Sequence, residues 1–218
     1  MTEHSPVIIA IDGTAASGKG TLAKRLGAYL DYAVLDTGLL YRRVALSLIE
    51  NGIPTDNVAA AVAAATTLDP ATLDDPRLRG AEAGRGASVV AAMPEVRQAL
   101  DDFQRHFPES CGKAGAILDG RDIGTAIFPD APFKFYVDAA VTVRAERRFR
   151  ELAAKGEDTT YETVLHDMRT RDARDGGRAF RPMMAAKDAI MIDTTQMDPD
   201  AVFAMAIESL RKKGLECL

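Results

Sequence analysis

Cysteine, histidine and asparagine are scarce in this 218-residue chain, and each shortage removes a class of function. The two cysteines, Cys111 and Cys217, stand far apart without Cys-x-x-Cys spacing, so no zinc site or disulfide framework is encoded. They read as two reduced thiols of a cytosolic protein. The three histidines, His4, His106 and His166, show no metal-ligand spacing and are expected on the surface. Asn51 and Asn57 are the only asparagines, so there is no Asn-Lys-x-Asp guanine motif, which argues against a GTPase switch. Long apolar runs are missing too. The N-terminal run at residues 7–11 follows an acidic flank and is too short for a signal core or a membrane span. A cytoplasmic protein without a membrane partner is therefore expected. Nor is there a basic excess. With 27 Lys+Arg against 32 Asp+Glu the net charge is −5, which disfavours nucleic acid as a partner while allowing a local basic site.

What is present is ordinary in amount and specific in order. The chain is 47% apolar and 27% charged, the composition of a globular protein, and its length suits one domain with an inserted subdomain. Short apolar runs at residues 7–11, 33–35, 114–118, 133–137 and 189–192 alternate with helix-like stretches, the pattern of a parallel α/β sheet. An aspartate follows each run (Asp12, Asp36, Asp119, Asp138 and Asp193). Ligand crevices of such sheets lie beyond the strands' carboxyl ends, so these five are expected along one functional edge. Helices are expected at residues 21–30, 41–50, 56–66, 94–106, 141–155, 160–175 and 198–213. Residues 67–87, holding Pro70, Pro76, Gly80, Gly84 and Gly86, read as loop with short helical pieces.

The segment Gly13-Thr14-Ala15-Ala16-Ser17-Gly18-Lys19-Gly20-Thr21 fits the phosphate-binding P-loop pattern through the lysine, between a buried strand and a helix start. Its glycines let successive N–H groups curl around a phosphate chain, and Lys19 adds a full positive charge. Gly20 stands where a Ser or Thr often follows the lysine, so Thr21 is the nearest hydroxyl for Mg²⁺. Asp119, after an apolar run, is the candidate carboxylate partner of that ion, directly or through water. With Ala15 two residues before Ser17, the loop is no Gly-x-Ser-x-Gly nucleophile elbow.

Three further clusters ask for a second anion. Asp36-Thr37-Gly38 enters a helix that carries Arg42 and Arg43, although an N-cap with surface arginines looks the same. Asp119-Gly120-Arg121-Asp122 ends the third strand and offers a cation and a polar edge, although an ion-paired turn would do so too. Arg169, Arg171, Arg174, Arg178 and Arg181 form the third, in a stretch from residue 144 to 181 with 10 Arg/Lys and 8 Asp/Glu. Residues 171, 174 and 178 would share one face if the helix continued. A salt-laced exposed helix pair competes with this reading, but Gly176-Gly177 inside an arginine run suits a hinge. A mobile arginine-bearing lid would neutralise a phosphoryl group in transfer and exclude water from it.

These segments, together with Ala87-Ser88-Val89-Val90-Ala91, Val96-Arg97-Gln98-Ala99-Leu100, Phe128-Pro129-Asp130-Ala131 and Arg171-Asp172-Ala173-Arg174-Asp175, resemble the bacterial cytidylate kinases over nearly the whole chain. The resemblance implies a P-loop α/β/α fold with a five-stranded parallel sheet. It also implies an acceptor-binding insert at about 37–106 and a lid at about 156–182. The implied reaction is ATP-dependent phosphorylation of CMP or dCMP with Mg²⁺ by a monomer. Thr37, Arg42 and Arg121 would hold the acceptor phosphate. Ser88, Arg97, Asp122 and Arg178 would read cytosine, and Asp175 with Arg171 the ribose. Lys19, Arg121, Arg171, Arg174 and Arg178 would be catalytic, the last two in the lid. A kinase for another nucleoside monophosphate or small metabolite, or a non-catalytic nucleotide-binding regulator, are the competing readings. One departure stands out: bacterial members often carry a larger insert containing strands, whereas residues 67–87 are short and rich in Gly and Pro.

Overall fold

The computed structural model describes residues 5–215; His4 and Cys217 lie outside them. Five parallel strands, β1 (Val7–Gly13), β2 (Ala33–Asp36), β3 (Gly115–Asp119), β4 (Phe133–Asp138) and β5 (Ile190–Asp193), stand in the order β2-β3-β1-β4-β5. The central strand β1 pairs Ile9 with Ile117 of β3 and Ile11 with Phe135 of β4. Because side chains alternate along a strand, β1 feeds two cores. Ile9 and Ile11 pack with Leu22 and Leu26 of α1 (Lys19–Leu30) and with Val202 and Leu210 of α8 (Pro199–Lys212). Ala10 enters the other core, with Leu118, Ile123 and Ile127 and with Phe103 and Phe107 packed against them. Apolar side chains on both faces are what a parallel sheet covered by helices requires.

Between β2 and β3 the chain builds its own helical subdomain: α2 (Thr37–Glu50), α3 (Val58–Thr66), α4 (Ala81–Val90) and α5 (Pro94–Ser110), centred on Leu40, Val44, Leu48, Val96 and Leu100. Between β4 and β5, α6 (Val141–Ala154) and α7 (Tyr161–Gly176) pack against each other through Ala145, Leu152, Val164 and Met168.

The expected strands and helices are present within a few residues. Residues 67–87 differ from expectation: two short 3₁₀ turns, Pro70–Asp74 and Pro76–Arg79, lead into α4. The glycines that suggested a loop are there for packing. A Cβ at Gly86 would stand 3.0 Å from Ala45 Cβ, and one at Gly84 3.3 Å from Arg42 Nη2, so both let α4 lie close on α2. The helix α7 also stops at Gly176, so Arg178 does not extend the face of Arg171 and Arg174. Among the described residues no helix is long and apolar enough to cross a membrane.

Gly13 is the tightest point between sheet and loop. Its φ is +137°, and an added Cβ would lie 1.9 Å from the Val137 carbonyl oxygen. Replacing Gly13 by Ala is expected to cost about 3 kcal/mol or more through strain and collision, a fall in Tm of roughly 6–12 °C. A melting curve of the variant checks this, and an unchanged Tm would contradict the packing at β4.

Candidate active site

The loop between β1 and α1 is shaped by two left-handed residues, Ala16 (φ +58°) and Gly18 (φ +98°). Protein donors engage its carbonyls. Ser17 Oγ (3.0 Å) and Lys19 Nζ (2.7 Å) donate to Thr14 O, Arg144 Nη1 to Ala15 O (3.3 Å) and Thr194 Oγ1 to Ser17 O (2.8 Å). Thr14 Oγ1 donates to Asp138 at 2.6 Å, tying the loop to the end of β4. What the loop offers a ligand is therefore N–H groups, and Gly18, at the cap of α1, brings no side chain to satisfy the first amides of that helix.

Lys19 Nζ lies 3.7 Å from Asp119 Oδ1, both groups buried. Burial, with Arg121 close by, pushes the Lys19 ammonium down to about 8 against the pull of Asp119, and burial pushes the Asp119 carboxyl up. A Cβ at Gly20 would sit 3.3 Å from Asp119 Oδ2, so a glycine after the lysine leaves that carboxylate oxygen uncrowded. Thr21 is exposed at the rim of the same cavity.

A second cluster of cations converges on Asp175, which is 2% exposed near the end of α7. Arg121 Nε (3.4 Å), Arg171 Nε (3.6 Å) and Arg178 Nη2 all turn to its carboxylate. Next to it Arg97 Nη2 meets Asp122 Oδ2 at 2.5 Å, and the Arg97 guanidinium lies over the Tyr41 ring, 5.7 Å from its centroid. Arg174 Nη1 donates to Ser88 Oγ at 2.7 Å, joining α7 to α4. Arg42 Nη1 donates to the carbonyls of Leu78 (2.6 Å) and Gly80 (3.3 Å). Thr37 Oγ1 donates to Asp119 O at 2.8 Å, so this hydroxyl ties α2 to the end of β3. Burial pushes the guanidiniums of Arg42, Arg171 and Arg178 down, with neighbouring cations adding to the effect. Among the described residues, buried side-chain polar atoms without a hydrogen-bond partner occur only on Arg97 (Nε), Asp122 (Oδ2), Arg171 (Nε) and Arg178 (Nε and Nη1). Native proteins rarely leave such groups unmatched, and four neighbouring residues doing so describe a place for a polar ligand.

The structure thus gathers the residues picked from the sequence into two adjoining groups, Lys19, Asp119, Thr21 and the loop in one, and the arginines around Asp175 in the other. The aspartates at the strand ends stand along one edge of the sheet, Asp36 in register with Asp119 and Asp138 with Asp193, but they do not share one role. Asp119 faces Lys19, while Asp36 lies 3.9 Å from Arg79. Asp138 holds Thr14, and the exposed Asp193 accepts from Thr195 N at 2.8 Å. Asp12 is buried away from the cavity lining and accepts from Ile123 N (2.8 Å) and Gly124 N (2.7 Å); burial pushes its carboxyl up to about 7. Several contributors carried no motif. Arg144 bonds Asp172 Oδ2 of α7 at 2.6 Å as well as the loop carbonyl. Arg148 Nη2 and Lys155 Nζ donate to Arg79 O, and Glu157 accepts from Ala81 N, so the α6–α7 pair grips the start of α4. Arg181, picked from the sequence only as one of the arginine run, forms two hydrogen bonds with Asp101 of α5, both at 2.7 Å. Only the apolar periodicity of α5 and α6 hinted at these, by marking Asp101 and Arg144 as charges on buried helix faces.

The cavity between the loop, α2, α4 and α7 has a volume of about 620 Å³, and ten Lys/Arg against four Asp/Glu line it. In a chain of net charge −5, such an excess of cations around one cavity favours an anion as its ligand. The sequence profile of the cytidylate kinase family matches residues 9–212. The chain belongs to the cytidylate kinase family. It is 52% identical over 212 residues to a cytidylate kinase of Rhodospirillum rubrum, covering 95% of this chain and 99% of that one. A cytidylate kinase of Xanthobacter autotrophicus is 54% identical over 210 residues, covering 95% and 100%. Among solved structures, TT1252 of Thermus thermophilus shares the fold at a TM-score of 0.50 and 22% identity, over 98% of this chain and 100% of that one. A sugar kinase from Janibacter sp. HTCC2649 shares it at 0.50 and 11%, over 94% and 95%. A cytidylate kinase family chain with a buried, depressed lysine should take up a proton when a polyphosphate binds, because the anion restores the ordinary preference for the ammonium form. At pH 8 the expected uptake on binding inorganic tripolyphosphate is up to about 0.5 proton, read from calorimetry in buffers of different ionisation enthalpy. Lys19→Met should abolish it, and an uptake that persists in the variant would assign the proton elsewhere.

Proposed function

We propose that this protein transfers the γ-phosphoryl group of ATP to CMP or dCMP, giving ADP and CDP or dCDP. The observation that carries this reading is the buried Arg97–Asp122 pair beside Asp175, with hydrogen-bond donors left over on Arg97, Arg171 and Arg178. Cytosine has the complementary edge, an N4 amino donor with O2 and N3 acceptors. Uracil would set its O4 acceptor against a carboxylate, which only accepts. The relatives named above, each called cytidylate kinase, support the same assignment.

In this reading the loop at residues 13–21 and Lys19 hold the ATP phosphates. Thr37, Arg42 and Arg121 take the acceptor phosphate, Ser88, Arg97, Asp122 and Arg178 the base, and Asp175 with Arg171 the ribose. The helices α2–α5 act as the acceptor insert, and residues 156–182 as a lid whose Arg174 and Arg178 join Lys19, Arg121 and Arg171 around the transferred group. Charge on that group is spread over its equatorial oxygens, so its stabilisation is electrostatic and needs no covalent step by the protein. Asp175 anchors the arginines in the meantime and yields them to the ligand, while Arg174 closes over Ser88 and limits water. Thr21 and Asp119, the latter directly or through water, would hold Mg²⁺, which would supply neutralising charge at the ATP phosphates. The residues present fit such an ion: no group of three or more His, Cys, Asp or Glu occurs among the described residues, and the hard oxygens of Asp119 and Thr21 flank the loop. That donor set suits a cation which keeps most of its waters and is held largely by phosphate.

A coupled ADP-release assay with CMP, dCMP, UMP and AMP tests the assignment. CMP and dCMP are expected to be the preferred acceptors, and activity on AMP with none on CMP would overturn it. Lys19→Ala should lower turnover at least ~100-fold with a Tm close to that of the parent, since the side chain hydrogen-bonds its own loop and stands 3.7 Å from Asp119, a loose pair. Asp122→Ala should lower the CMP-to-UMP ratio of kcat/KM by roughly tenfold or more while KM for ATP changes little.

A further inference from the structure

The mechanism leaves two buried carboxylates unused, Asp101, which is paired with Arg181, and Asp12. Asp12 is 3% exposed at the end of β1, next to Gly13 of the phosphate loop, and does not line the cationic cavity. Its Oδ1 accepts from Ile123 N at 2.8 Å and its Oδ2 from Gly124 N at 2.7 Å. These are the first two amides of the π turn Ile123–Ile127, for which Asp122 stands in the capping position. An aspartate at that position ordinarily bends its own carboxylate onto the amides that follow it. Here Asp122 makes no such bond; its carboxylate points to Arg97 instead. Wide turns of this kind are rare, and their opening amides have no partner within the turn. Asp12, supplied from a different strand, fills both.

We propose that Asp12 is a positioning residue for acceptor recognition: by capping Ile123 and Gly124 in place of Asp122, it keeps the Asp122 carboxylate free to face Arg97 and the base. The inference rests on the reading of Asp122 as the group that recognises cytosine. A merely structural carboxylate would have no reason to meet the two residues that follow Asp122 and nothing else. Since Asp12 also borders Gly13, one residue fixes the distance between the start of the phosphate loop and the acceptor-reading turn. When the cap is removed, the two orphan amides seek another acceptor, the residue in the capping position is Asp122, and a carboxylate drawn onto them is lost to the base.

The test uses the full-length enzyme and compares Asp12→Asn, which keeps the shape but sets an amide NH₂ against one of the two N–H groups. The parent is first shown to prefer CMP over UMP; if it does not phosphorylate CMP, the proposed function fails and the positioning role goes with it. In a parent that does, Asp12→Asn is expected to raise KM for CMP about tenfold and lower the CMP-to-UMP ratio of kcat/KM about tenfold, with KM for ATP within twofold. In the Asp122→Asn background the same change should leave the CMP-to-UMP ratio within twofold, because the group through which Asp12 acts is already altered. Equal losses for CMP and ATP, an unchanged ratio, or full additivity with Asp122→Asn would each overturn the proposal while leaving the kinase assignment intact. Should Asp12→Asn fail to fold, Gly124→Ala decides. Its added Cβ would stand 3.1 Å from Lys134 Cδ and 3.4 Å from Asp12 Oδ2, crowding the same cap while leaving the Asp12 side chain itself unaltered. The same split in KM, smaller in size, supports the role, and equal or no change for the two substrates overturns it.

Discussion

A cavity that collects ten cationic side chains has to exist before its anions arrive, and that constraint shapes most of the molecule around it. Unpaired guanidiniums packed together repel one another, and burial removes the water that would screen them. The protein answers with a few shared acceptors. Asp175 takes Arg121, Arg171 and Arg178 at once, and the carbonyls of Leu78, Arg79 and Gly80 take Arg42, Arg148 and Lys155. Each acceptor is one that a phosphate outcompetes, because a dianion satisfies several donors with charge on both sides of the bond. The free protein therefore holds its cations in position without neutralising them.

The same shared acceptors couple parts of the chain that are far apart in sequence. Asp175 belongs to α7, Arg121 to the end of β3, and the Arg97–Asp122 pair joins the helical insert to that strand end. Arg181 on Asp101 and Glu157 on the start of α4 add further ties between the α7 region and the insert. A phosphate or base that enters this network changes the partners of all three bodies together. Under the proposed function, closure and recognition would then be one electrostatic event, which suits a reaction that must not begin until water is excluded.

Much of this was legible in the sequence because the chemistry is local there. The P-loop is nine consecutive residues, and its strand and helix context could be read from hydrophobic periodicity. Asp119, Arg121 and Asp122 likewise sit in one run. The five strands were visible because a parallel strand buried on both faces is an unbroken apolar run. Residues 67–87 misled because a glycine that opens a turn and a glycine that lets two helices touch are the same letter; only the 3.0 Å approach of Gly86 to Ala45 separates them. Arg144 and Glu157 escaped for a different reason. Their partners lie 129 and 76 residues away, and no spacing rule connects them.

The strand-end aspartates show how position and role part company. All five occupy equivalent places in the sheet, and a reading from topology gives them one task. Burial divides them. Asp193, in water at the end of the edge strand β5, can only order its own turn, whereas Asp119 and Asp12 are enclosed and must find a partner or lose their charge. Asp119 found a cation and Asp12 two amides, and those partners decide what each can do. A carboxylate beside Lys19 contributes to the field on a phosphate chain, whereas one closed on backbone N–H groups is electrically quiet and acts through geometry. The divergence follows from where the neighbouring chain passes, so it is set by the crossover from β3 into the turn at residue 123 and not by any property of the strand that carries the residue.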